Sequence, residues 1–266
     1  MTPLTAYIEG IGVLGPGLID WPSAAAVLSA ATPYAPAATV LPTPLSLPPA
    51  ERRRTSVVVK LALAIGFEAT TRAGIDRSTL PAVFSSSGGD GFNCHEICQV
   101  LASSERQLSP TRFHNSVHNV AAGYWSIAAS ATAAANVLCA FDASFGAGLL
   151  EALTQVAVER TPLLLLAYDT QYPEPLRAKR PIPDAFGVAF VLAPGARASA
   201  LAKLTAMLTE SDGDRMSEPH LEDLLVSIPA ARGLPLLRKL ARREGGRVTL
   251  DYLPHMRLAL EVEPCN

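Results

Sequence analysis

Charged residues are scarce in this 266-residue chain, at 17%, and nearly balanced: 22 basic against 24 acidic, a formal charge of −2. Without a basic excess there is little to neutralise a phosphate backbone, so nucleic acid is excluded as the main partner. Cysteine is scarcer. Four residues, Cys94, Cys98, Cys139 and Cys265, are too few and too unevenly spaced for a disulfide framework and fit a reducing compartment. Cys94, His95 and Cys98 suggest half a metal site, but no second ligand pair at zinc spacing follows, so no metal or other cofactor is expected. Long apolar runs are also missing. The run Leu163 to Ala167 is far short of the roughly 20 residues that span a bilayer, so no membrane span is expected. The start, MTPLTAYIEGIG, has neither the basic nor the apolar region of a signal peptide. The chain reads as soluble and cytoplasmic. What it has in quantity is apolar residues, 49%, with a mean hydropathy of +0.24. That composition excludes wholesale disorder. With so little charge, it points to apolar surface covered by a partner.

Strand and helix patterns alternate along the chain. Ala6–Leu14 reads as a buried first strand closed by Gly15-Pro16-Gly17. Trp21–Ala31 reads as a helix, with Pro22 in its first turn. A proline-rich loop follows, and then a helix over Pro49–Ala73 that opens with Arg52, Arg53 and Arg54. That cluster reads as a solvated face, with docking of an acidic partner as its functional alternative. Ala82–Ser87 is a strand running into Gly88-Gly89-Asp90-Gly91; no GK[ST] follows, so this is not a phosphate-binding loop. Helices are expected over 92–103 and 117–129, a strand over Asn136–Phe141 and a helix over Ser144–Glu159. Thr161–Tyr168, Asp184–Leu192 and Ala200–Thr209 read as strands, and Pro235–Glu244 as a basic helix. Arg247–Val262 reads as two short strands around Leu253-Pro254-His255. The pattern predicts an α/β fold around a mostly parallel sheet. His114 and His118, spaced i and i+4, lack the further ligands of a metal helix and read as structural.

The chemical centre of the sequence is Asn136–Leu150, where a strand turns sharply into a helix. A side chain at such a turn stands near free amides and the positive end of a helix dipole, where nucleophiles are often placed. Here the sequence resembles the β-ketoacyl synthases, of thiolase-like fold. Asn119-Val120-Ala121-Ala122-Gly123-Tyr124-Trp125-Ser126-Ile127 resembles their N-x-x-A-G-x-x-S-I helix. Ala140-Phe141-Asp142-Ala143-Ser144 lies where their nucleophile turn, T-A-C-[TS]-[SA], should be. Leu163–Tyr168, Tyr7–Gly17 and the FSSSGGDG stretch at 84–91 resemble further pieces in the same order. The resemblance covers about residues 5–195. It implies the N-terminal half of a ketosynthase with a truncated C-terminal part: a thiolase-like domain over 1–195 and a short extension over 196–266 packing on it.

The departures from that family carry the functional reading. By this register Asp142 occupies the nucleophile position, and an aspartate cannot form the acyl thioester that condensation requires. Cys139 lies three residues earlier and is expected to be buried in the strand, hence inert. The family's H-G-T-x-T-x-x-G-D and G-H-x-x-G-A-A-like motifs are missing, and after Pro194 the only histidines are His220 and His255. The chain resembles the short chain-length-factor-like subunits of aryl polyene and xanthomonadin-type pigment pathways, most closely over Arg112–Ile127. That resemblance implies no activity of its own, a full-length ketosynthase as heterodimeric or higher partner, and an acyl carrier protein met indirectly. Tyr124, Trp125, Phe141 and Phe145 are candidates to line a tunnel or the subunit interface, with ordinary core packing as the alternative. Two enzymatic readings stand beside this one. The first is an active small synthase using Cys139. The second is a serine esterase using Ser144 in the degenerate elbow Asp142-Ala143-Ser144-Phe145-Gly146.

Overall fold

The computed structural model describes residues 3–265. One eight-stranded sheet runs through the molecule. The outer part of the sheet is built from β2 (Ala82–Ser85), β3 (Ala135–Leu138) and β4 (Leu163–Asp169). β3 forms one edge and pairs with β2 in parallel, and β2 pairs in parallel with β4. β5 (Phe186–Ala193) follows, antiparallel to both β4 and the long first strand β1 (Leu4–Leu14). β6 (Ala202–Thr209), β8 (Met256–Pro264) and β7 (Gly246–Leu253) complete the order, all antiparallel. The sheet is therefore mixed, not mostly parallel as expected: only the two pairings of β2 are parallel, because β5 returns antiparallel beside β4 with no helix between them and the remaining strands continue the antiparallel pairing. Residue 195 lies in the turn before β6, and β6 pairs with β1, so the last seventy residues continue the same sheet.

β4 and β5 are buried along their whole length, as their continuous aliphatic sequences require. On one face, α3 (Val57–Ala73) packs across β1, β5 and β4 and against α6 (Val120–Ala129). β1 presents Gly10 and Gly12 to α3. A Cβ at Gly12 would stand 2.0 Å from the carbonyl oxygen of Ile65, and one at Gly10 would stand 2.2 Å from that of Ala69. Strand and helix backbones meet there because no side chain intervenes. On the other face lie α1 (Trp21–Leu28), α7 (Ser144–Glu159), α8 (Pro219–Ser227), a 3-10 turn over Pro229–Gly233 and α9 (Leu234–Ala241).

The helix expected over Pro49–Ala73 is broken. A single turn, α2 (Pro49–Arg52), ends before α3 begins. The Thr55 hydroxyl donates to the Arg52 carbonyl at 2.8 Å, and the Asn115 amide donates to that of Arg54 at 2.9 Å. Side chains thus take the carbonyls that a continuous helix would have used. α4 (Gly91–Ala102) falls where expected, with Asp90 capping the Asn93 N–H at 3.0 Å. The short α5 (Pro110–His114) and α8 are additional to the elements read from the sequence. No helix among the described residues is long and apolar enough to cross a membrane.

Candidate functional site

The parallel strands β2, β3 and β4 all end at one side of the sheet, and the turn from β3 into α7, expected from sequence to match a nucleophile turn, lies there. β3 stops at Leu138, one residue before Cys139, and a 3-10 turn over Phe141–Ala143 leads into α7. Cys139 is therefore exposed, not buried as expected, and its Sγ donates to the Ser87 carbonyl at 3.1 Å. The reason is the place of β3: it is an edge strand without a buried residue, and it ends before Cys139, so no core closes over the thiol.

Phe141 has a φ of 52°, in the left-handed region. This twist turns Asp142 toward two arginines. Arg180 Nη2 donates to Asp142 Oδ1 at 2.7 Å, and Arg232 Nη2 stands 3.8 Å from Oδ2. Both guanidinium side chains are mostly covered, at 17% and 18% exposure, while that of Asp142 is 45% exposed. Burial pulls the Arg232 guanidinium below its ordinary pKa, and the charges of Asp142 and Asp251 oppose that shift. Asp142 also precedes the first turn of α7, where a negative charge is favoured by the helix dipole. The carboxylate at this turn is held as a counter-ion.

Ser144 is buried and committed locally. Its Oγ donates to the Phe141 carbonyl at 2.7 Å and accepts from the Ala140 N–H at 3.0 Å. The hydroxyl fixes the turn instead of standing exposed on an elbow. A cleft of about 500 Å³ opens beside Asp142, lined among others by Arg215, Arg232, Asp251, Tyr252 and Arg257. Among the described residues, no histidine is in its lining. His220 instead lies near Tyr34, with ring centroids 6.3 Å apart.

Asp169, at the end of β4, was not singled out from sequence. It is 3% exposed and joins three segments. Oδ1 accepts from the Ser87 N–H and Oδ2 from the Ala230 N–H, both at 2.8 Å. Burial pushes its pKa up to about 6, against the pull of the Ser87 and Ala230 donors and the charge of Arg180. A strand-terminal acid followed much later by a Pro-Ala-Ala turn was the only trace of this link in the sequence.

The tunnel or interface candidates separate. Tyr124, Trp125 and Phe145 are core side chains, each no more than 2% exposed. Trp125 stacks near Phe67, with centroids 5.3 Å apart, and Phe145 packs against Gly233. As placed, these three present no surface to a partner; their apolar rings fill the two faces of the sheet. Only Phe141 projects outward, 61% exposed. The arginine cluster borders a second cleft of about 610 Å³, where Arg53, Arg54, Lys60 and Arg112 face Asp90 and Glu96. Cys94 and Cys98 are exposed on α4, and His118 packs beside Gly89. Among the described residues, no three His, Cys, Asp or Glu side chains come together as metal ligands would.

Residues 24–232 match the family described as β-ketoacyl synthase, N-terminal domain. The chain belongs to this family. Among solved structures it is similar to the ketosynthase (ApeO) in complex with its chain length factor (ApeC) from Xenorhabdus doucetiae. The identity is 25% and the TM-score 0.73, over 97% of this chain and 99% of that one. It also shares its fold with the ishigamide ketosynthase/chain length factor, at 13% identity and TM-score 0.74 over 98% and 100% of the two chains. A third likeness is to AntDE:AntF, a type II PKS acyl-carrier protein in complex with its ketosynthase, at 9% identity and TM-score 0.72 over 98% and 99%. No curated protein matches the chain significantly. The β-ketoacyl synthase-like, thiolase-like fold of this chain is thus that of ketosynthases and chain length factors.

Proposed function

We propose that this chain is a non-catalytic, chain-length-factor-like partner of a full-length β-ketoacyl-ACP synthase. The reading rests on one observation: Asp142, which the resemblance sets at the nucleophile position, is engaged by Arg180 and Arg232. A carboxylate held by two guanidinium groups neither attacks a thioester nor carries an acyl chain as a thioester. The chain then acts by shape and surface within a heterodimer or higher assembly, in the cytoplasm, and meets the acyl carrier protein through its partner. Residues 196–266 serve as a short extension of the synthase-like body, tied to it through β6 and Ala230. The resemblance over Arg112–Ile127 supports an assembly line of polyene or fatty-acid type, of the aryl polyene and xanthomonadin kind.

Co-expression with the ketosynthase of its own pathway tests this. A stable complex is expected, with condensation by the complex and none by this chain alone. Failure to form a complex at micromolar concentration refutes the reading. The second reading, a small active synthase, is favoured by the exposed thiol of Cys139. It requires an intact mass increased by one acyl group, lost in Cys139→Ala, after incubation of the isolated chain with an acyl-thioester donor.

A further inference from the structure

Arg232 lines the cleft beside Asp142, and its side chain is only 18% exposed. The carboxylates around it are already engaged by other arginines. Asp142 accepts from Arg180 at 2.7 Å, and Asp251 lies 2.9 Å from Arg215 and 3.2 Å from Arg257. Arg232 reaches Asp142 at 3.8 Å, which is an ion pair but too long for a hydrogen bond. Among the described residues, its guanidinium donates to no acceptor. A guanidinium carries five N–H donors, and covering them without acceptors is costly. Burial also disfavours its charge. A cation kept under those conditions in the wall of a cleft marks a place where an anion is received.

Charge and shape describe that anion. Four guanidinium groups, of Arg180, Arg215, Arg232 and Arg257, meet three carboxylates, of Asp142, Glu222 and Asp251. The excess of one positive charge matches a carboxylate better than the nearly two negative charges of a phosphate monoester. The planar fork of a guanidinium also fits a carboxylate through two parallel hydrogen bonds. Part of the remaining wall is apolar, from Pro254 with Phe141 and Leu253, which are 61% and 42% exposed. The volume of about 500 Å³ is that of a site for a small organic molecule. We propose that this cleft binds a small organic carboxylate, its head on Arg232 and its apolar body against Phe141 and Leu253. The site is built by this chain alone and does not depend on the partner role proposed above. Asp142 takes a second part in it, because its charge beside Arg232 competes with that of the ligand.

Calorimetry on the full chain alone, with hexanoate as the probe, tests the proposal. Hexanoate is expected to bind, and acetate, which lacks the apolar body, to bind roughly tenfold more weakly or less still. Arg232→Met should weaken hexanoate by about tenfold or more, as loss of a charged hydrogen-bonding partner does. Asp142→Asn should tighten it severalfold by removing the competing charge. These opposite signs separate a ligand contact from damage to the fold, which would weaken binding in both variants, and the melting temperature of each variant reads folding directly. If Arg232→Met does not fold, Arg232→Lys takes its place; it keeps the charge without the fork and should weaken hexanoate severalfold. No binding of hexanoate at millimolar concentration, or an unchanged dissociation constant in the Arg232 variant, overturns the proposal. Acetate bound as tightly as hexanoate overturns the apolar half of the site, and hexyl phosphate bound more tightly than hexanoate overturns the assignment to a carboxylate.

Discussion

Asp169 gives the fold a pH signature whose sign and size follow from its surroundings. The carboxyl is buried, and its pKa is pushed from 3.8 to about 6. The folded state therefore binds this proton more tightly than the unfolded state. The resulting stabilisation is fully present below pH 3.8 and is lost as the pH rises through about 6. A difference of about 2 pKa units corresponds to about 3 kcal/mol in all. About 2 kcal/mol of that falls between pH 4.5 and pH 7. Asp169→Asn removes the titration and keeps the shape, at the cost of setting an amide donor against the N–H of Ser87 or Ala230. Urea unfolding of wild type and variant at the two pH values isolates the effect, because every other carboxyl is common to both proteins. The stability gap between wild type and variant should be larger at pH 4.5 than at pH 7 by about 2 kcal/mol. An equal gap at both pH values would refute the assignment of a buried, proton-holding carboxyl.

Other substitutions test the packing and the turn. Gly12→Ala forces β1 and α3 apart, since the new Cβ would meet the Ile65 carbonyl at 2.0 Å; a loss of about 3 kcal/mol or more in denaturant unfolding is expected. Trp125→Ala empties the space between α3 and α6 and should cost about 3–5 kcal/mol by the same measurement. Ser144→Ala leaves the Ala140 N–H without its acceptor and should cost about 1–3 kcal/mol. A fluorophosphonate probe should label neither it nor the wild type. Asp142→Cys should yield no acyl-enzyme in the mass spectrum after incubation with a donor thioester, because no histidine lines the adjoining cleft to activate the thiol.

The parts legible in the sequence were those whose pattern is local. α7 runs over Ser144–Glu159 as its 3.6-residue period predicted, and β4 sits where five consecutive aliphatics required a strand buried on both faces. The hairpin of β7 and β8 turns at the expected Leu253-Pro254-His255. The break between α2 and α3 was hidden because its cause is an amide from Asn115, distant in the chain. α8 carried a readable signal that was not used: Glu218 caps the Leu221 N–H at 2.7 Å, Pro219 opens the first turn, and Leu221, Leu224 and Leu225 form a buried stripe. Strand direction has no local signature, so the mixed character of the sheet could not be read.

The turn between β3 and α7 shows the same division in chemistry. Its place in the sequence gave away Asp142, but the meaning of Asp142 lies with Arg180 and Arg232, which arrive from two later segments. An aspartate at this partly covered turn would ordinarily leave an uncompensated charge. Arg180 comes from the loop before β5 and Arg232 from the turn before α9, and together they neutralise that charge. Asp169 fixes the start of the same late turn through the Ala230 N–H. The C-terminal segment therefore completes the sheet with β6, β8 and β7 and also supplies a counter-charge to the altered turn. In this arrangement Asp142 and the late segment are physically coupled: without Arg232 and Arg180 the aspartate would lose its partners, and without the aspartate two mostly covered guanidinium groups would lose the carboxylate between them.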